Sequence, residues 1–381
     1  MKILHTADLH IGKRINEYPM LEEQGFILNQ ITDIVKEENP DAIILAGDIY
    51  DKSIPSAEAV TLFDDFLVAL AKLGKSIFII SGNHDSSERL SFASRLMSVS
   101  KVYVSPVFDG TITPIVLKDG TEEVAFYLLP FIKPSMVQHY AGDDVEIKSY
   151  DEAMRHVIEH LDIDRKRRNV LITHQFITDA ERTESEDIII GGLDNIDATV
   201  FADFDYVALG HLHRPQYCGK ETVRYSGSPL KYSFSEVDDK KSVTIIEMVG
   251  TGTPKISERP LKALHDWHDL RGTYEELTAK EFYDGKGYQE DFVRITLTDE
   301  DDIPDGMRKL KTIYHRLMVL QYDNKRTRAG VSSIGKPLNI DKMKPDQLFS
   351  ELFEKQNAQP MSEEQQTYLG SLINEIFNNK Q

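Results

Sequence analysis

Asp8 and His10 stand two residues apart in MKILHTADLHIG, at the end of a short apolar run. On an extended backbone that spacing aims both side chains the same way, and a carboxylate converging with an imidazole is a metal-binding arrangement. One D-x-H pair is commonplace by chance, but here it opens a series. AIILAG is followed by Asp48; SIFIIS by Gly82, Asn83, His84 and Asp85; NVLITH ends in His174; and YVALGH runs into His211 and His213. Five apolar runs thus end in oxygen or nitrogen ligands. In an open α/β sheet, ligands bind outside the carboxyl ends of the strands, so these residues are expected on one rim.

The residue types specify the chemistry. Two divalent ions about 3.5–4 Å apart need a shared carboxylate, hard oxygen and borderline nitrogen donors, and open positions for water and substrate. Asp48 is the natural bridge; Asp8, His10 and His213 complete one ion's ligands, and Asn83, His174 and His211 the other's. Because Asn and neutral His add no charge, the cations outweigh the two carboxylates, and a positive centre attracts phosphate. Water activated by the metals would attack phosphorus in line. His84, in the same turn as the ligand Asn83, is assigned to stabilising the transition state or protonating the leaving oxygen. Asp85 either orients His84 or caps the turn.

Such a rim requires parallel strands joined by helices, and residues 1 to about 250 alternate the two in a βαβ manner. Helices are expected through LEEQGFILNQITDIVKEE, AEAVTLFDDFLVALAKL and DEAMRHVIEHL. VAFYLLP, VRYSGS and SVTIIEM read as further strands, and KDG marks a hairpin. Near Gly250 the texture changes: TGTPK reads as a linker, and the stretch to about Asp323 as strand, helix, strand, helix, strand. The expected division is a phosphoesterase-type domain over 1–252, an accessory domain over 253–324, a flexible basic connector over 325–343 and a helix pair over 344–381.

In that pair Leu348, Phe349, Leu352 and Phe353 form one apolar stripe. Tyr368, Leu369, Leu372, Ile373, Ile376 and Phe377 form another, with Ser362 and Gln365 as a capping box. Two short helices cannot bury such stripes alone. They fold back on the chain's own domains or dock on a partner, and the connector before them favours a partner.

Composition narrows the function classes. The 381 residues, 40% apolar and 28% charged, describe a soluble globular chain of two or three domains. The sequence shows no signal-type segment and no run near the roughly 20 apolar residues of a bilayer span, so a cytoplasmic location is expected. Cys218 is the single cysteine, which excludes an internal disulfide and a multi-cysteine zinc site. A net charge of -19, from 44 Lys and Arg against 63 Asp and Glu, repels a polyanion. A nuclease of this composition must find positive charge in bound metals, a basic loop or a partner. Lys13, Arg14, Lys52 and Arg89 are the basic residues near the rim that could meet DNA phosphates.

With D-x-H, G-D, G-N-H-D, H and G-H-x-H in this order, the chain resembles the calcineurin-like metallophosphoesterases. MKILHTADLHIGK, AGDIYDKSIPS, SGNHDSSERL and YSGSPLKYSFSE carry a closer likeness to that family's DNA-repair nucleases. The resemblance implies an α/β fold, a two-layer β-sandwich flanked by helices, with a small α/β capping domain and a C-terminal helix pair. It implies two divalent metal ions, Mn2+ or else Mg2+, and 3′-to-5′ exonuclease action on duplex DNA with endonuclease action on single strands and hairpins. It further implies a homodimer within a heterotetramer, where a coiled-coil ATPase controls cleavage and receives the helix pair. Asp51, Lys52 and Ser53 replace the Asp-Arg-Gly of protein Ser/Thr phosphatases, and Asp85 their Glu, which speaks against phosphoprotein substrates. The alternatives are a small-nucleotide phosphodiesterase or phosphatase with the same site and an interaction module whose metals are structural ties.

Other chemistry-bearing residues read as structural. His5 is a packed strand histidine, His156 and His160 a solvated helix face, and Cys218 a small buried hydrophobe. His265 and His268 flank Trp267 in a packing cluster of the accessory domain. On the resemblance alone, the loop with Tyr232 and Phe234 shapes the site or contacts the ATPase.

Overall fold

The computed structural model describes residues 1–142, 144–178, 180–186, 195–250, 252–332, 349–350, 352–354 and 359–378. These fall into two compact units, Met1–His265 and Asp266–Gln381. Among the described residues no helix is long and apolar enough to cross a membrane.

The first unit holds two six-stranded sheets. One carries Lys2–Thr6, Ala42–Ala46, Ser76–Ile80 and Val102–Val104 side by side and parallel, with Ser242–Glu247 and Lys255–Pro260 added antiparallel at the other edge. The other has Glu122–Leu128, Arg168–His174, Tyr206–Gly210 and Lys220–Tyr225 in parallel, closed at its edges by the antiparallel strands Ile115–Asp119 and Gln216–Cys218. The expected hairpin is present, with Gly120 supplying the positive φ of its turn.

Why these runs are continuously apolar follows from where their two faces go. Ile3, Ile44, Phe78 and Ile80 of the first sheet meet Phe126, Leu128, Val170, Ile172 and Ala208 of the second in one shared core. Phe78 stacks on Phe126 with ring centroids 4.2 Å apart. The alternate residues Leu4, Ile43, Leu45, Ile77 and Ile79 face outward onto the helices Leu21–Glu38 and Ala57–Ala71. On the other side Tyr127, Leu171, Val207 and Leu209 pack with residues of the helices Pro134–Ala141 and Tyr150–Glu159. Strands buried on both faces cannot alternate apolar with polar, and the result is the sandwich flanked by helices expected from the resemblance.

The second unit has three parallel strands, Trp267–Gly272, Phe292–Leu297 and Arg316–Tyr322, joined by short helices around a core of Leu270, Leu277, Val293, Ile295, Leu310 and Tyr314. Three expectations are corrected here. Lys255–Pro260, expected in the accessory domain, completes the first sheet by pairing with Ser242–Glu247, so the division falls after His265. His265 and His268 separate accordingly: the first bonds Glu23 at 2.6 Å, while the second bonds Asp291 at 2.8 Å and packs edge-on against Tyr288, beside Trp267 on Phe292. Finally, the basic connector begins as a helix, Lys325–Ser332, whose N-terminus Asn324 caps by accepting from Thr327 N at 3.1 Å. The rest of that connector, 333–343, lies outside the described residues, as does Leu348.

His5 gives the fold a testable acid response. It is fully buried, with Nδ1 3.0 Å from the Tyr206 hydroxyl, and burial, reinforced by the Arg224 charge, pushes its pKa down to about 3. The unfolded chain takes up a proton near the ordinary value of about 6.5, which the folded chain refuses. Stability from this group is therefore complete above pH 6.5 and is lost as pH falls from there to about 3. The slope is about 1.4 kcal/mol per pH unit. In chelator-treated protein, His5→Asn should flatten the fall in urea midpoint between pH 6 and pH 4; an unchanged slope refutes the assignment.

Candidate metal centre

Each ligand-bearing turn leaves its strand abruptly. Asp8, His10, Asp48 and His211 all have positive φ, at 55°, 44°, 49° and 107°. Such conformations cost about 1–3 kcal/mol each in a non-glycine residue and persist only where the surroundings over-determine them. Here they do: Asp8 N donates to Gly47 O at 3.1 Å and His10 N to Asp48 O at 2.9 Å. His211 N donates to Asp8 Oδ1 and His84 N to Asp48 Oδ1, each at 2.9 Å. The ligand side chains thereby brace one another's loops across both sheets.

The seven expected ligands converge. Asp8, His10 and His213 place ligand atoms within 4.8 Å of one another, and so do Asp8, Asp48 and His174, and His10, Asp48 and His84. Asn83 Oδ1 lies 3.0 Å from His174 Nε2 and 3.1 Å from His211 Nδ1. Asp8, His10 and Asp48 are each common to two of the groups, so the three groups form one continuous cluster. Cations fit this cluster on chemical grounds: Asp8 Oδ2 and His10 Nδ1 are buried without a hydrogen-bond partner, and the Nε2 atoms of His10 and His213 face each other at 3.0 Å. A buried carboxylate oxygen left without a donor, beside several imidazole nitrogens, is stabilised by a positive charge.

Electrostatics prepares the same state. Burial, with the neighbouring His174, pushes the His211 imidazole down to about 3, and burial holds His10 well below its usual range despite Asp48. Both rings are therefore neutral at physiological pH, the form in which an imidazole can ligate a metal. Burial opposes charge on Asp48 too, but the attraction of His174 with His10 and His84 overrides it and keeps the carboxylate ionised. Asp8 is raised, chiefly by burial, so its ionisation is helped by any cation that arrives.

Further residues serve the site in ways that only the structure assigns. His174 Nδ1 donates to Ala46 O at 2.8 Å, and Nε2 faces Asn83 Oδ1 at 3.0 Å and Asp48 Oδ2 at 3.3 Å; although burial opposes it, Asp48 raises the pKa of this imidazole to about 9, so a cation arriving there displaces the Nε2 proton. Gln24 Nε2 donates to His10 O at 2.7 Å, and the Tyr232 hydroxyl bonds Leu9 O while its ring lies edge-on to His10. Tyr232 thus lies against the site. Of the two roles weighed for Asp85, its bonds are of the turn-holding kind: the carboxylate accepts from Ile49 N, Tyr50 N and Gly82 N at 2.9–3.0 Å, tying the Asp48 turn to the Asn83 turn. His84 is oriented by Asp51 instead, its Nδ1 donating to Asp51 O at 3.0 Å.

The basic residues are dispersed. Lys13, Arg14 and Lys52 line one groove beside Asp51, where Lys13 is paired to Asp51 at 2.8 Å. Arg14, Lys52 and Arg89 are exposed, and Arg89 lines a neighbouring groove with Asp85.

The sandwich, the strand-end ligands and the buried acid–imidazole cluster agree with a comparison at family level: the calcineurin-like phosphoesterase model matches residues 1–215, and the chain belongs to that family. It is thus a hydrolase acting on phosphodiester bonds and uses divalent metal ions. Its curated relatives include the SbcD subunit of the SbcCD nuclease of Staphylococcus epidermidis, 36% identical over 84% of this chain and 85% of that protein. The protein of the same name from Staphylococcus saprophyticus is 32% identical over 84% of each. Residues 260–357 match the model described as type 5 capsule protein repressor C-terminal domain. Among solved structures, a dimetal phosphatase from Danio rerio is similar at 11% identity and a TM-score of 0.44, covering 68% of this chain and 96% of that one.

Proposed function

We propose that this protein is a metal-dependent DNA nuclease that acts with an SbcC-type coiled-coil ATPase. The reading is supported by the convergence of Asp8, His10, Asp48, Asn83, His174, His211 and His213 at one rim, with His84 beside them. Two Mn2+ ions held by these residues would supply Lewis acidity and a nucleophilic water near neutral pH. Asp48 lies between the two ligand groups, and Asn83 holds its carbonyl oxygen toward His174 and His211.

His84 does the proton work. A carbonyl can only accept, so the bond to Asp51 O places a proton on Nδ1 and turns Nε2 toward the ligand cluster, 3.9 Å from Asp48 Oδ2. Its side chain is 21% exposed where that of Asp48 is 3% exposed, so it can meet a substrate that the buried ligands cannot. A protonated Nε2 at that place stabilises charge on the phosphoryl group or protonates the leaving oxygen. Lys13, Arg14, Lys52 and Arg89 would contact the DNA backbone.

Phe349 and Leu352 are each 48% exposed, Phe353, Leu372 and Ile373 are half-buried, and Leu369 is buried. The side chains of Ile376 and Phe377 lie outside the described residues. This partly open stripe supports docking on the ATPase coiled coil. Phe92, Leu96 and Val99, 80%, 76% and 85% exposed, support a homodimer.

Hairpin and linear duplex DNA, incubated with the protein and Mn2+ with and without the ATPase, test the reading against bis(p-nitrophenyl) phosphate. His84→Ala should lower DNA cleavage by about 10²–10⁴-fold while Mn2+ binding persists. Ester hydrolysis without any DNA cleavage would instead identify a small-nucleotide phosphodiesterase.

A further inference from the structure

His213 is held from behind by residues the metal site itself does not include. Its Nδ1 lies 2.6 Å from Ser185 Oγ, and that hydroxyl lies 2.6 Å from Glu236 Oε1. Glu236 is 0% exposed, and its other oxygen pairs with the buried Lys241 at 2.7 Å. Lys241 spends its remaining donors on His213 O at 2.8 Å and Ser228 Oγ at 3.2 Å. Glu186 Oε1 accepts from His213 N at 2.6 Å. Both ring and backbone of this one ligand are therefore clasped, by a loop more than twenty residues upstream and a turn downstream.

Counting protons decides the direction of the chain. Glu236, paired with an ammonium, offers only acceptors. A serine hydroxyl has one hydrogen, and at 2.6 Å from a carboxylate oxygen that hydrogen must go to Glu236. Ser185 Oγ can then only accept from His213, so the imidazole proton sits on Nδ1. Nε2, which faces His10 Nε2 at 3.0 Å, is left with its lone pair toward the cluster.

We propose that Ser185 and Glu236, backed by Lys241, are positioning residues that lock His213 in its Nδ1–H tautomer and so set the affinity of one of the two metal positions. The proposal rests on His213 being a metal ligand; it does not depend on DNA being the substrate. It also gives the SFSE segment of the YSGSPLKYSFSE motif a physical role, since Ser233 Oγ donates to Glu236 Oε1 at 3.1 Å as well.

Ser185→Ala is the primary variant, because it removes one hydroxyl and leaves the Glu236–Lys241 pair intact. Mn2+ titration followed by the free-ion paramagnetic resonance signal should show one of two positions weakened by roughly 10–100-fold, with the other unchanged and Ser185→Thr restoring the loss. In metal-free protein labelled with 15N-histidine, the signal absent from His213→Asn should report an Nδ1–H tautomer that Ser185→Ala abolishes. Unaltered Mn2+ affinity in a folded Ser185→Ala protein, or an Nε2–H tautomer in the unmodified chain, overturns the proposal. Should Ser185→Ala fail to fold, the double variant Glu236→Gln with Lys241→Met reads out the same two quantities without a buried unpaired charge. A protein that binds Mn2+ as described but leaves DNA uncut refutes the nuclease reading alone.

Discussion

Asp48→Asn should strip the protein of both metals and lower hydrolysis of any phosphodiester by more than about a thousandfold, the rate equivalent of losing several kcal/mol of Lewis-acid stabilisation. The substitution keeps the shape of the side chain and removes its charge. Asp48 Oδ2 is 3.3 Å from His174 Nε2, 3.7 Å from His10 Nε2 and 3.9 Å from His84 Nε2, so one atom faces ligands assigned to both ions. Asp8 is the other carboxylate among the ligands, and without Asp48 a single negative charge would have to balance two divalent cations. Metal content after dialysis, by mass spectrometry, and turnover of bis(p-nitrophenyl) phosphate measure the two effects separately. Retention of two tightly held ions per Asp48→Asn chain would sink the bridging role. The amide can still accept from His84 N, so the turn should survive and circular dichroism should change little.

Gly210→Ala should be the most damaging single methyl group in the phosphoesterase unit. Gly210 ends the strand Tyr206–Gly210, in register beside His174 of the neighbouring strand. A Cβ there would overlap the Ala46 carbonyl oxygen and lie 2.7 Å from His174 Nδ1, wedged between the atoms of the bond that orients a ligand. Backbone is on one side and a buried ring on the other, so neither can swing away. Overpacking of flexible cores costs about 1–3 kcal/mol, and this position should reach or exceed the top of that range, with Mn2+ affinity falling alongside. Gly370→Ala is the control: it lies in the helix Glu363–Asn378 with no heavy atom within 4 Å. Helix propensity should make it neutral or stabilising by up to about 1 kcal/mol. Equal urea midpoints for the two variants would refute the packing argument.

Much of the site was legible because it is written locally. A run such as AIILAG is apolar on both faces and is followed by Asp48; SIFIIS ends before Asn83 and His84; the seven residues range from the last position of a strand, His174, to four positions past one, His10. Period and position suffice to find these residues, without knowing how the strands pair. His5 and Cys218 were placed by the same local logic, and both are buried. Asp85 was legible only in part: its bond to Gly82 N within the turn is local, but nothing adjacent to it reveals that its carboxylate would reach Ile49 N and Tyr50 N, more than thirty residues away. Nor did pattern distinguish the strand Lys255–Pro260 from the next domain's first element: edge strands made mostly of exposed residues resemble linkers until a partner strand is known.

The order and identity of the metal-type ligands belonged to the sequence alone, because strand period and strand end are properties of neighbours along the chain. The tertiary structure decided what holds those ligands in place: Ser185, Glu186, Glu236 and Lys241 around His213, Asp51 behind His84, Ala46 behind His174. The reason is geometric. A hydrogen bond fixes an imidazole only through atoms about 3 Å away, and which atoms those are depends on how two sheets pack face to face.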